Sequence, residues 1–203
     1  MIRLFDTNKG FKLKYVALWL ALLCILVFVL QLFLGNEYFV LVKDTESTFP
    51  WITSPLTLIT LITSIFAHSS IAHLLGNLFS LLLFGLILEG RIGSRRVLWL
   101  FLGSGLLINI FSPYERSLGA SGAIFAILGA LVVLRPMMMV WVYSMPVPMF
   151  VAGMIWFVID VFGVFYPSGI GNIAHISGLF IGLIYGAFLW KKYSDRKIKE
   201  EIV

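Results

Sequence analysis

An all-α membrane protein with a six-helix bundle is the fold class that the sequence predicts, and three observations predict it. Of the 203 residues, 60% are hydrophobic and only 12% charged, whereas soluble domains average roughly half and a quarter. Six apolar stretches recur along the chain. Thirteen of the fifteen Lys and Arg residues fall in alternate connections between those stretches, the asymmetry of loops retained on the cytoplasmic side.

The first stretch, Tyr15–Leu34, follows Lys9, Lys12 and Lys14 and has to be weighed as a secretory signal. It exceeds the roughly 7 to 15 residues of a signal core and leads into Gly35, Asn36 and Glu37 rather than a small-residue cleavage site. It reads as a retained helix. The others are Ile71–Leu88, Val97–Phe111, Gly119–Leu134, Val147–Phe165 and Ile173–Trp190. The third and fourth are rich in small residues, which places both inside the bundle, where backbones approach closely.

Arg3, Lys9, Lys12 and Lys14, then Arg91, Arg95 and Arg96, then Arg135, then the cluster from Lys191 to Lys199 share one side, leaving Lys43 and Arg116 on the other. Both termini are expected to be cytoplasmic. Residues 1–14 form a basic N-terminus, 15–190 one membrane domain and 191–203 a charged tail. Spans two, four and six then run from outside to inside. The basic clusters beside apolar segments suit topology and contact with a lipid bilayer, so the net charge of +5 is not assigned to nucleic acid. Lone Cys24, within an apolar run, reads as a small buried hydrophobe.

Pro50 to Ile71 is the ambiguous segment. With span two it makes nearly twice one crossing of about 20 residues. Pro50, Pro55 and repeated Thr and Ser interrupt it, and a further crossing spoils the charge asymmetry. It is expected to be a loop partly submerged at the outer interface, with Trp51 at the depth aromatic belts occupy.

Polar residues inside spans are costly and mark function. His73 and Asn77 lie at i and i+4 near the start of span two, Ser121 in the first turn of span four and His175 in the first turn of span six. All three spans run inward, so all four residues sit in the outer part of the membrane. A serine becomes a nucleophile when a base takes its proton and donors stabilise the oxyanion. Ser121 lies in Gly119-Ala120-Ser121-Gly122, whose small residues admit a substrate backbone and whose helix start presents free N–H groups. His175 is the candidate base, and His73 and Asn77 are candidate oxyanion donors.

Each feature has an ordinary structural explanation as well. Gly-Ala-Ser-Gly and Gly178-x-x-x-Gly182 are packing devices of membrane helices, His175 alone suits a buried histidine bonded to a carbonyl, and His73 and Asn77 suit interhelical hydrogen bonds. The combination decides for a site: the chain has three histidines, two belong to the outer cluster and His68 lies just before it.

His68-x4-His73-x3-Asn77, Glu89-Gly90-Arg91-x-Gly93, Gly119-Ala120-Ser121-Gly122 and Ala174-His175-x-x-Gly178-x3-Gly182 together resemble the rhomboid family of intramembrane proteases, in order and spacing. The resemblance covers spans two to six. It implies a rhomboid-like bundle, no cofactor and a Ser121–His175 dyad without a catalytic acid. His73, Asn77 and the Ser121 N–H would form the oxyanion hole beside Gly119 and Ala120, with Phe125 supporting the histidine. It implies transmembrane proteins as substrates, span five and its outer connection, Val147 to Asn172, as the gate, and Gly163, Pro167, Gly169 and Gly171 as its flexible points. The Trp-Arg pair that the family often carries nine residues before the first histidine is Ile59-Thr60 here.

On this reading Asp160, the one acid deep in a span, belongs to structure or an ion path rather than to a triad, and Glu89 and Arg91 form a structural ion pair. His68 either lines a wet entrance or is an interfacial loop residue. Rival readings are a non-catalytic relative that binds membrane proteins in quality control, which should lack Ser121 or His175, and a small transporter, for which no inverted repeat is visible. A zinc site on His68 and His73 lacks the His-Glu-x-x-His pattern, so no metal is assigned. The small core suggests a bacterial plasma membrane, with the site open to the outer side.

Overall fold

Every apolar stretch becomes a helix in the computed structural model. It describes residues 15–43, 55–113, 115–142, 144–166 and 171–202, with side chains to residue 192. The helices are α1 (Val16–Leu34), α2 (Pro55–Thr63), α3 (Ile71–Ile92), α4 (Ser94–Phe111), α5 (Ser121–Leu134), α6 (Met149–Phe165) and α7 (Asn172–Ile202). Four of them, α1, α3, α4 and the Asn172–Lys192 part of α7, are long and apolar enough to cross a membrane; α5 and α6 are shorter apolar helices. Phe33, Phe79, Trp99, Phe111 and Phe162 stand exposed on the outer surface, apolar area that a lipid environment covers.

Two expectations change here. Part of the segment read as a loop is helical: α2 starts at Pro55, a residue suited to a first turn. Its nine residues rise only about 14 Å, half a bilayer core, so it adds a helix without adding a crossing. Pro50 and Trp51 lie outside the described residues. The all-α reading also misses two short antiparallel ribbons. Leu41–Val42 (β1) pairs with Arg116–Ser117 (β2), and Met139–Val142 (β3) forms a hairpin with Met145–Pro148 (β4).

The core is built around α5, which buries Gly122 through Leu131 apart from Phe125. Glycines let α7 press onto it: a Cβ at Gly178 would collide with the Gly122 carbonyl oxygen, and one at Gly182 with that of Ala126. Small residues thus set the approach of the two helices that carry Ser121 and His175. Span three is less enclosed than expected, since α4 exposes Trp99 and Phe111 while burying Phe101 and Ile108. α3 carries a π-helical turn at Leu81–Gly85, where Gly85 meets Ala17 of α1. Past its Asn172–Lys192 part α7 stays helical to Ile202. Its 31 residues reach about 46 Å, well past one bilayer core.

Glu89, expected in an ion-pair network with Arg91, caps a helix as well. Its carboxylate accepts the N–H groups of Val16 (2.8 Å) and Ala17 (3.0 Å) and the Ser94 hydroxyl (2.5 Å). It thereby supplies partners for free donors at the start of α1. Gly93, next along the motif, holds φ +87° between α3 and α4, a conformation that favours glycine.

Candidate active site

Ser70 sets the first element of the site. Its hydroxyl accepts the N–H of His73 (3.1 Å) and caps α3, which puts His73 and Asn77 on successive turns of one face. At the second element, Gly119 adopts φ +113° and donates its N–H to the Ser64 carbonyl (2.8 Å), so the chain turns sharply into α5 and Ser121 becomes its first residue. No side chain caps that helix start among the described residues, and its N–H groups remain available to an anion. The third is α7, whose first turn carries His175.

These elements converge. A cavity of about 770 Å³ is lined by His73, Asn77, Gly119, Ser121, Phe125 and His175, among others. Ala120, grouped with Gly119 from the sequence, is fully buried and stands behind the cavity rather than among its lining residues. Phe125 stacks on His175 with ring centroids 4.3 Å apart and planes 6° from parallel. Ser121 and His175 face the same space without a mutual hydrogen bond among the described residues; such contacts commonly tighten only when substrate arrives.

Hydrogen bonds assign the tautomer of His73. Its Nδ1 lies 3.5 Å from the Ser69 backbone N–H, which can only donate, and 3.1 Å from the Ser69 hydroxyl. Nδ1 is therefore the acceptor and Nε2 carries the proton. That nitrogen lies over Gly119, 3.1 Å from where a Cβ would stand. Asn77 is buried, and its Nδ2 has no protein partner among the described residues. Two donors thus face the space in front of Ser121.

His68 is not at a wet entrance. It is 2% exposed; its Nδ1–H donates to the Phe66 carbonyl (3.0 Å), and its backbone is clasped by Gln31 of α1 through N–H to Oε1 (2.9 Å). Burial, with the adjacent His73, pushes its pKa down to about 4. Its ring packs edge-on against His73, centroids 5.0 Å apart. His68 is a neutral buttress.

Asp160, set aside from the sequence, belongs to the site. Its Oδ1 lies 3.0 Å from His175 Nδ1, and both side chains are largely buried. Two further polar residues escaped the sequence reading. Asn109 of α4 donates to the Leu61 carbonyl (2.8 Å) and the Ser64 hydroxyl (2.9 Å), and Gln31 holds His68. Both are late in spans that the charge pattern reads as outward-running, so the depth criterion that found Ser121 also reaches them.

The described parts of the connection between α1 and α3 are tied down without the Trp-Arg pair. Thr63 donates its hydroxyl to the Tyr38 carbonyl (3.1 Å), and Lys43 donates Nζ to the Ser112 carbonyl (2.7 Å). Gly163, expected as a flexible point, sits inside α6 and packs on Asn172, whose side chain would meet a Cβ there at 2.5 Å. Pro167 and Gly169 lie outside the described residues.

Comparison with known proteins agrees with the motifs. A family model described as the rhomboid domain matches residues 55–192. RHOMBOID-like protein 4 of Arabidopsis thaliana is 33% identical over 127 residues, 60% of this chain and 32% of that protein. The rhomboid protease GlpG of Haemophilus influenzae is 30% identical over 122 residues, 59% of this chain and 63% of that protein. The rhomboid protease GluP of Bacillus subtilis is 36% identical over 137 residues, 64% of this chain and 25% of that protein. The chain thus spans between a quarter and just under two thirds of these relatives' lengths. With its motifs, its apolar helices and a family match over more than half its length, this integral membrane protein belongs to the rhomboid family.

Proposed function

We propose that the chain is an intramembrane serine endopeptidase that cleaves peptide bonds within or beside transmembrane segments of membrane proteins. The supporting observation is the single cavity onto which Ser121, His175, His73 and Asn77 open from three helices. In the proposed reaction Ser121 Oγ attacks the scissile carbonyl carbon as its proton passes to His175 Nε2, the ring nitrogen that Asp160 leaves free. The oxyanion receives hydrogen bonds from His73 Nε2–H, Asn77 Nδ2–H and the Ser121 N–H, beside Gly119. Collapse breaks the C–N bond, and the leaving amine takes the proton from His175. Water, deprotonated by the same histidine, then hydrolyses the acyl-enzyme and restores Ser121.

In this reading α1, α3, α4, α5, α6 and α7 make six crossings with both termini cytoplasmic, residues 1–14 and 191–203 flanking the bundle, and α6 serves as the gate. The outer position of the site gives water a route to the acyl-enzyme while protein shields the site from lipid. The compartment proposed is a bacterial plasma membrane. The test uses protein purified in detergent with a model transmembrane substrate and a serine-directed fluorophosphonate. Cleavage and labelling are both expected, and both should vanish in Ser121→Ala and His175→Ala. Retention of both activities in either variant refutes the reading.

A further inference from the structure

α6 meets the site through one polar contact. Of its residues only Met149, Ala152, Gly153 and Asp160 are buried, and three of those four carry no side-chain hydrogen-bonding group. Asp160 comes one turn before the end of α6 and His175 in the first turn of α7, so the two stand level with each other in antiparallel neighbours. A carboxylate inside a membrane protein is costly unless it has a partner, and its partner here is the Nδ1 side of the imidazole at 3.0 Å. The groups that face the ring from other elements are Phe125, stacked on it, and Ser121 and His73 across the cavity.

We propose that Asp160 is the positioning residue for His175: it accepts the Nδ1–H, holds the ring in the tautomer whose Nε2 keeps its lone pair, and thereby orients the base toward Ser121. The inference rests on the serine-protease reading for its kinetic consequence but not for the tautomer itself. It makes the site a Ser–His–Asp arrangement in place of a dyad. As in serine hydrolases generally, the acid orients the ring and stabilises the imidazolium that forms during proton transfer.

Asp160→Leu keeps the number and branching of the side-chain heavy atoms and removes the acceptor. With only three histidines in the chain, ¹⁵N-histidine spectra of the detergent-solubilised protein, assigned by single histidine substitutions, read the tautomer directly. In the parent at pH 8, His175 is expected as the Nδ1–H form, and in Asp160→Leu it is expected to shift toward Nε2–H. kcat is expected to fall about 10²- to 10⁴-fold with KM within twofold, whereas a purely structural role would leave the tautomer alone. A parent His175 in the Nε2–H form, or an Asp160→Leu protein with kcat within threefold of the parent, overturns the proposal. If Asp160→Leu does not fold, the parent spectrum alone decides. If the parent neither cleaves nor labels, the protease reading fails while the tautomer result still stands or falls separately.

Discussion

The imidazole of His175 lies face to face on the ring of Phe125, which stands one turn after Ser121 in the helix that Ser121 opens. One helix therefore supplies both the candidate nucleophile and the surface that fixes its base. Truncating the ring removes stacking worth about 1 kcal/mol beyond burial. Phe125→Ala is expected to lower kcat roughly tenfold or more, and Phe125→Tyr to stay near the parent. Steady-state cleavage of a transmembrane substrate checks both; an unchanged Phe125→Ala would show that the stack does not orient the histidine.

Gly182 lets α7 touch the backbone of α5 at Ala126. A β-branched side chain there meets a carbonyl oxygen that cannot move aside cheaply, so the helices must separate. Gly182→Val is expected to destabilise the protein by about 1–3 kcal/mol or more, read as a lower melting temperature in detergent. Gly76, with open space around its Cβ position, serves as the control: Gly76→Ala should melt close to the parent.

Much of this was legible from the sequence because a bilayer restricts what a chain can do. Apolar runs gave the helices, and depth reasoning brought Ser121, His175, His73 and Asn77 to one level. The parts that were not legible depend on relationships a sequence does not display. α2 hid because its threonines resemble loop polarity, yet Thr60 bonds back to the Leu56 carbonyl and Thr63 to that of Ile59, satisfying themselves within the helix. Asp160 meets His175 only through the rotational register of α6 against α7. Glu89 reaches the start of α1 across more than seventy positions.

His68 makes stability depend on pH. Its folded pKa, about 4, lies below the ordinary 6.5. Above 6.5 the ring is neutral in folded and unfolded states and nothing is lost. As pH falls from 6.5 toward 4 the unfolded chain takes up a proton that the folded chain refuses, and stability drops. The melting temperature is expected to fall over this window by more in the parent than in His68→Gln. Parallel pH curves for the two proteins would refute the assignment.

Glu89 offers a way to separate stability from chemistry. Its carboxylate accepts the Val16 and Ala17 N–H groups and the Ser94 hydroxyl near the end of α3, several turns from His73 and Asn77. Replacing it with leucine strands these donors, at a cost of about 1–3 kcal/mol for each buried group left unsatisfied. Because α1 contributes no lining residue to the cavity, the surviving folded fraction should keep its reactivity. Glu89→Leu is therefore expected to melt well below the parent yet show an unchanged kcat once the rate is normalised to active sites titrated by the fluorophosphonate. A fall in the normalised rate would mean that the α1 cap is coupled to the site through α3, whose π-helical turn at Leu81–Gly85 lies between them.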